Sequence, residues 1–381
     1  MNLTPEEEEL LSSDNETIAK CMEILVAIGE IYGADRLIAI RSAQISGVSY
    51  DNIGDAGLEW LESLNARVTV PAYVNPAGMD VERWEEMRVD AEFYSKQMRV
   101  LKALQRIGAE LSLTCTPYYL NTPSFGDHLA WAESSAVCYA NSVIGARTNR
   151  ESGITAIASA IIGKTPRYGL HVKENRAPTI YVKVRKPDFN PSLLGFVLGD
   201  EISGEVPLIS LPRAVTKDEL KQMGAAMAAK GNTALFHVEG VTPESGDFER
   251  PKEKLEIDAE IDSEDCTPDL IALGCPHLSP EELREIFEIS SKFRPAKARK
   301  NVWLFTSRKV YRENYELIKK LENMGFKVFC DTCMVVSPST SRYECVMVNS
   351  GKALTYLPKL RGVRVLFGSL QDCIRRAFSD D

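Results

Sequence analysis

Three cysteines stand where an expected strand gives way to a turn. They are Cys115 in Leu-Ser-Leu-Thr-Cys-Thr-Pro-Tyr, Cys275 in Leu-Ile-Ala-Leu-Gly-Cys-Pro-His and Cys333 in Val-Phe-Cys-Asp-Thr-Cys-Met. Proline follows Cys275 at once and Cys115 one residue later, which holds off a helix over the site. Thiolates are the metal-binding form of cysteine, and a closed iron–sulfur cluster takes four of them. Three leave one iron free to take a hydroxyl oxygen and help hydroxide leave, so the trio predicts a Lewis-acid enzyme. Zinc with three protein ligands and a water would act similarly, and these residues alone leave the metal open. Cys330 and Cys333 form C-x-x-C, a spacing shared by zinc sites and redox dithiols. Strand register puts Cys330 at the strand's edge, so Cys333 is the expected ligand. Cys21, Cys138, Cys266, Cys345 and Cys373 lie in helical or strand patterns or in a polar stretch, and are expected to be small buried residues.

The second chemistry is anion binding. The run from Asn141 through Ser142, Gly145, Ala146, Arg147, Thr148 and Arg150 sets two guanidinium groups among small residues. Guanidinium matches carboxylate and phosphate bidentately, and small residues let a ligand approach the backbone. The bland alternative is a solvated loop between two helices. Lys352, after Asn349-Ser350-Gly351, is a second candidate cation, and Arg342 a third. Other strand-end loops hold Ser42, Ser46, Asn75, Ser307, Arg308, Ser369 and the histidines His237 and His277. Lone histidines more often pack than bind.

These residues need a frame that gathers strand ends. Thr4, Pro5 and Glu7 form a capping box with proline in the first turn. A helix is expected over 15–32, with Ile18, Met22, Leu25 and Ile28 on one stripe. Strands are expected over 37–40 and 68–74, with a helix over 54–64 between them and a small-residue loop at 41–50. A long helix carrying Trp84, Met87 and Phe93 leads to a strand before Cys115. Two close-packed helices occupy 128–163. Apolar strands follow at 234–237, 269–273, 302–305, 327–329, 345–348 and 363–367, with amphipathic helices such as 281–292. Alternation of this kind predicts an α/β fold of parallel sheets flanked by helices. The active site is then expected at the carboxyl ends of the strands, between domains. The expected division is 1–212 and 213–381, with 186–212 as the crossover and 241–265 as a surface excursion.

At 381 residues the chain is too long for one ordinary core. A net charge of -9 argues against a nucleic-acid binder, though a local basic pocket remains compatible with it. No apolar run reaches the roughly 20 residues needed to cross a bilayer, and the acidic N-terminus is unlike a signal peptide. A cytoplasmic protein is expected. Nine cysteines, an odd number in a long chain, argue against a disulfide framework and for reduced thiols.

In this order, several segments resemble the large subunit of the aconitase X family. They are Ser-Ala-Gln-Ile-Ser-Gly-Val-Ser-Tyr (42–50), Thr-Cys-Thr-Pro-Tyr (114–118), Trp-Ala-Glu-Ser-Ser-Ala-Val (131–137) and Ala-Asn-Ser-Val-Ile-Gly-Ala-Arg-Thr-Asn-Arg-Glu (140–151). Gly-Cys-Pro-His-Leu-Ser (274–279), Asp-Thr-Cys-Met-Val-Val-Ser-Pro (331–338), Asn-Ser-Gly-Lys-Ala (349–353) and Phe-Gly-Ser (367–369) complete the set. The resemblance covers nearly the whole chain. It implies an aconitase-like fold and an iron–sulfur cluster, 4Fe-4S with one open iron, on Cys115, Cys275 and Cys333. The substrate contacts it implies are Ser46, Gly47, Asn75, Glu133, Ser134, the 141–150 residues above and Lys352. Gln44 departs from the histidine expected in its loop, which puts an acid–base role there in doubt. The family implies hydroxy-acid dehydration: of mevalonate 5-phosphate by archaeal-type members with a separate small subunit, or of cis-3-hydroxyproline by longer single chains. A partner of roughly domain size is therefore expected, and the base that removes the proton can lie on it. A non-catalytic zinc protein built on Cys330 and Cys333 is the reading from another class.

Overall fold

Short apolar segments and intervening helices build three parallel sheets in a computed structural model that describes residues 1–260, 266–293 and 297–379. The strands are β1 (Leu37–Ala39), β2 (Ala43–Ile45), β3 (Ala72–Val74), β4 (Ala130–Trp131), β5 (Lys164–Pro166), β6 (Ile180–Val184) and β7 (Pro207–Ser210). They continue with β8 (His237–Val238), β9 (Lys254–Ile257), β10 (Leu270–Leu278), β11 (Val302–Thr306), β12 (Phe326–Phe329), β13 (Cys345–Val348) and β14 (Arg364–Phe367). The sheet orders are β3-β2-β4, β8-β7-β6-β9 and β12-β11-β10-β13-β14, while β1 and β5 form a separate antiparallel pair. Parallel strands need crossover helices, which cover both faces and make the central strands continuously apolar. Every residue of β10, β11 and β13 is accordingly buried. The α/β expectation holds, and the first 166 residues carry both a parallel sheet and the antiparallel pair.

Several expected boundaries move. Only Ala72–Val74 of the 68–74 strand is paired, because the Val68 and Thr69 amides donate to Ile107 and Ala160 carbonyls instead. The long helix begins at Ala91, where Asp90 accepts the Phe93 amide, so Trp84 and Met87 precede it. The helix Tyr50–Ser63 starts earlier than expected and kinks at Gly54, whose φ of 58° is open to glycine.

The expected boundary at residues 212 and 213 falls inside the second sheet, between β7 and β8, which pair at Leu208 and His237. Val182, Ile209, Met223, Phe236 and Val238 share one core across it. The sheets part instead near residues 175 and 268. The stretch 186–212 is no plain linker: it holds the helix Pro191–Glu201 and β7. The excursion at 241–265 contributes β9, and its last five residues lie outside the described residues. The expectation of fully reduced cysteines is corrected at one pair. Cys266 and Cys345 form a disulfide, because pairing of β10 with β13 brings the two strand entrances together. Sequence spacing of 79 residues gives no sign of it.

A buried ion pair ties the first sheet's end to the second. Arg176 is fully buried; its Nε donates to both Glu244 carboxylate oxygens at 3.1 and 2.9 Å, and its Nη1 and Nη2 donate to Asn141. Removing one partner strands a buried charge. Glu244→Gln should therefore lower stability by about 3–5 kcal/mol, read as a fall in the urea midpoint at unchanged slope. A midpoint within error of wild type would show that Arg176 finds compensation elsewhere.

Candidate active site

Each cysteine of the trio reaches the same cleft by a different local device. On β10, Leu273 pairs with Leu304 but Leu278 pairs with Thr306, so the strand bulges between them and carries Cys275 out of the ladder. Gly274 permits this: its φ is 108°, and a Cβ there would sit 2.3 Å from the Phe305 carbonyl oxygen. Cys333 lies in the turn beyond β12. Cys115 is not preceded by a strand. The segment 110–114 runs beside β3, with the Glu110 and Thr114 amides donating to Ala72 and Val74 carbonyls. It forms only the isolated bridge between Tyr73 and Glu110, because the backbone turns out of the extended region at Leu113, whose φ is 44°.

The cleft, about 190 Å³, is lined by Ser46, Gly47, Asn52, Asn75, Pro76, Cys115, Ala132, Glu133, Ser134, Arg150, Cys275, Cys333, Val335, Val336, Lys352, Tyr356 and Leu360. Beside Arg150 it holds one buried ion pair. The Lys352 ammonium donates to Glu133 Oε1 and, at 3.2 Å, to Ser135 Oγ. Ser135 Oγ and the Ala136 amide donate to Glu133 Oε2 at 2.6 and 2.8 Å, and Ser134 Oγ donates to Oε1 at 3.2 Å. Burial opposes the charge on both groups, yet each outweighs it for the other. The carboxyl is held below its usual range and the ammonium above.

The thiols are not equivalent. A hydrogen bond from the Cys275 thiol holds the Cys333 thiol down to about 7, and raises that of Cys275. Burial pushes Cys115 up to about 12, against the pull of Lys352. Its sulfur also accepts the His277 amide at 3.3 Å. Three buried thiols on one wall, one of them ready to ionise near neutrality, form a donor set that fits an iron–sulfur cluster. The Asn75 Oδ1, buried and without a partner, faces no competing protein donor. Among the described residues, no group of three or more His, Cys, Asp or Glu side chains is close enough to hold a single metal ion. A multi-iron cluster takes one thiolate per corner and tolerates wider spacing. Cys330 is buried beside Asp80, which accepts its amide at 2.7 Å, outside the cleft lining.

Of the residues expected at the site, Ser46, Gly47, Asn75, Glu133, Ser134, Arg150, Lys352 and the three cysteines come together. The rest of the 141–150 run does not line the cleft. Asn141 is spent on the Thr148 and Ala234 carbonyls, the Thr148 amide and Arg176. Ser142 Oγ accepts the Phe236 amide, Thr148 Oγ1 accepts the Trp131 amide, Gly145 ends a helical turn at φ 79° and Ala146 is packed. Arg147 points to the His171 carbonyl, 3.5 Å away. Arg150 instead reaches the cleft, donating to Asn232 Oδ1 at 2.5 Å and to the Tyr356 hydroxyl at 3.5 Å. Arg342 and Arg308 are engaged elsewhere, with the Arg88 carbonyl and with Asp80 and Asp331. His237 Nε2 donates to the Arg176 carbonyl at 2.8 Å inside the second sheet. His277 is packed behind the cysteines, its nitrogens within 2.9 Å of Thr114 Oγ1 and 2.8 Å of the Thr332 carbonyl. Gln44 is buried behind Glu133, whose amide donates to its Oε1 at 3.3 Å. Asn52 and Tyr356 escaped the sequence reading; Tyr356 lies four residues from Lys352 on one helix, a spacing that shares a face.

Residues 1–174, 178–267 and 268–379 match, in turn, Aconitase X first domain, Aconitase X second domain and Aconitase X third domain. The phosphomevalonate dehydratase large subunit of Methanosarcina mazei is 49% identical over 99% of this chain and 97% of its own. The chain belongs to the aconitase X family. A crystal structure of Thermococcus kodakaraensis aconitase X (holo-form) superposes at a TM-score of 0.91, with 41% identity, over 99% of this chain and all of that one. Cis-3-hydroxy-L-proline dehydratase of Pseudomonas aeruginosa is 33% identical over 97% of this chain but only 69% of its own length. The three aconitase X divisions fall where the sheets part, near residues 175 and 268.

The buried pair makes a signed prediction. Lys352→Met leaves Glu133 charged and uncompensated, at a cost of about 3–5 kcal/mol at pH 7. Glu133 titrates low when folded, so wild-type stability from it is full above the ordinary carboxylate range and is lost as pH falls through the lowered value. In K352M the carboxyl is desolvated without its cation, so acidification towards pH 5 should narrow the gap to wild type. Urea unfolding at pH 7 and 5 checks this; a gap that widens on acidification contradicts it.

Proposed function

We propose that this chain is the large subunit of a hydro-lyase that dehydrates (R)-mevalonate 5-phosphate to trans-anhydromevalonate 5-phosphate, within a mevalonate route to isoprenoid precursors. The observation that carries the reading is the cleft that sets Cys115, Cys275 and Cys333 beside the buried Lys352–Glu133 pair. Near-complete mutual coverage with the Methanosarcina mazei phosphomevalonate dehydratase large subunit supports this substrate over hydroxyproline. The three cysteines would hold a 4Fe-4S cluster, which supplies a Lewis acid for the departing hydroxyl.

The chain's own residues bind, orient and hold charge. Arg150 has only neutral hydrogen-bond partners, so its charge is available for the carboxylate or phosphate at the cleft mouth. Lys352 is already neutralised by Glu133, so its effect on a bound anion is smaller and its main effect is to favour thiolates nearby. The unpartnered Asn75 Oδ1 is an acceptor suited to a substrate hydroxyl. Both Glu133 oxygens and both His277 nitrogens are committed, so neither is an idle base for the substrate proton. A base supplied by a small subunit completes the site, and a reducing compartment such as the cytoplasm suits the three thiols.

Anaerobic reconstitution with iron, sulfide and the small subunit should give a brown complex that turns over mevalonate 5-phosphate. Cys115→Ser, Cys275→Ser and Cys333→Ser should each lose the visible absorbance and at least about 100-fold in kcat, the loss of several kcal/mol of charge stabilisation. Arg150→Ala should raise KM about tenfold or more while the absorbance stays. Full activity in a colourless, iron-free preparation, or turnover of cis-3-hydroxyproline alone, would overturn the assignment.

A further inference from the structure

The turn that carries Cys333 is held from behind by one guanidinium. Arg361 stands in the last turn of the helix Gly351–Arg361, and its side chain is 7% exposed. Its Nε donates to the Val335 carbonyl at 2.8 Å and its Nη2 to the Val336 carbonyl at 3.4 Å. Its Nη1 donates to Asp51 Oδ2 at 2.9 Å, on the kinked helix Tyr50–Ser63 of the first domain. A tie between domains needs only that last contact. The rest of the guanidinium fork is spent on the two carbonyls that follow the cysteine turn. Ser49 Oγ, also in the first domain, donates to the Val336 carbonyl at 3.4 Å. Val335 and Val336 line the cleft, whereas Arg361 does not.

The far sides of the same two peptide units face Cys333. In a planar trans peptide the C=O and the N–H that follows it point in opposite directions. Holding the Val335 oxygen therefore fixes the direction of the Val336 amide, which hydrogen-bonds to the Cys333 sulfur, as does the Val335 amide. Holding the Val336 oxygen fixes the Ser337 amide, which donates to the Cys333 carbonyl at 3.1 Å. A cation on a carbonyl oxygen also polarises that peptide unit and strengthens the N–H on its other side. A chain of charge and hydrogen bonds thus runs from Asp51 through Arg361 and the Val335–Val336 peptide to sulfur.

We propose that Arg361 is a positioning residue for the iron–sulfur cluster, aiming and polarising the amides that bond to the Cys333 sulfur. It rests on the proposed cluster on the three cysteines and deepens that reading by naming what tunes it. Hydrogen bonds to a cluster's sulfurs favour the more negative, reduced form and so raise its reduction potential. Partners that orient a ligand in this way are worth about 10–100-fold in metal affinity.

The complex reconstituted with iron, sulfide and the small subunit tests this, by an EPR-monitored redox titration and by the rate of iron loss to excess chelator. The thermal midpoint of each complex is measured beside them. Arg361→Lys keeps the charge but not the fork, and Arg361→Met removes both. Each should lower the reduction potential and speed iron loss at least about tenfold. Arg99→Met, which breaks the exposed Arg99–Glu62 pair elsewhere in the first domain, should change neither. Wild-type potential and iron loss in both Arg361 variants would overturn the inference. So would faster iron loss that follows a lowered thermal midpoint at unchanged potential, since that is an effect on the fold alone. If the wild-type complex takes up no iron and sulfide, the cluster reading fails and this inference fails with it.

Discussion

A buried ammonium survives in a folded protein only beside a compensating anion, and Lys352 finds its anion 219 residues away in sequence, on Glu133. That constraint organises the site. Glu133 caps the helix Ser134–Tyr139 after the first sheet, and Lys352 sits in the first turn of the helix Gly351–Arg361 after β13. The same helix start gathers further contacts. Ser350 Oγ donates to the Cys275 carbonyl at 2.5 Å, and the Gly351 amide donates to Ser192 Oγ at 2.8 Å. One helix N-terminus thus touches all three sheet-based units. The ion pair holds the first and third of these units together beside the cysteines.

Thiol chemistry follows from that closure. Burial alone would keep all three cysteines protonated. The Cys275 thiol donating to Cys333 and the cation of Lys352 work against burial, so the trio has one thiol poised near neutrality before any metal is bound. Glu133 neutralises the Lys352 charge beside the thiols. On the proposed reading, the cysteines would take a soft multi-iron group and Arg150, Asn75 and Tyr356, which line the same cleft, would face a polar anionic substrate.

Cys275, Cys333 and Lys352 were legible because they follow strands in turn-forming contexts; Cys115 was singled out on a strand that does not form, and Glu133 came from the family resemblance alone. The 141–150 run was read too generously. Its asparagine and threonine satisfy buried backbone groups, a need that sequence does not display, and Arg147 faces away while Arg150, three residues on, faces the cleft. The strand expected before Cys115 fails because the backbone turns at Leu113, φ 44°, leaving only an isolated bridge to β3. The Cys266–Cys345 bond and the division of the second sheet depend on strand order, which periodicity does not encode. Tyr356 and Asn52 carry no motif and are recruited by the helix faces they share with better-marked neighbours.

The central claim is that this wall of three cysteines holds a cluster with one iron open to substrate. Mössbauer spectroscopy of the complex reconstituted with ⁵⁷Fe, with and without mevalonate 5-phosphate, tests it most directly. The account predicts one iron site distinct from the others, whose parameters alone change when substrate is added. Iron sites that all stay unchanged with substrate bound would contradict it.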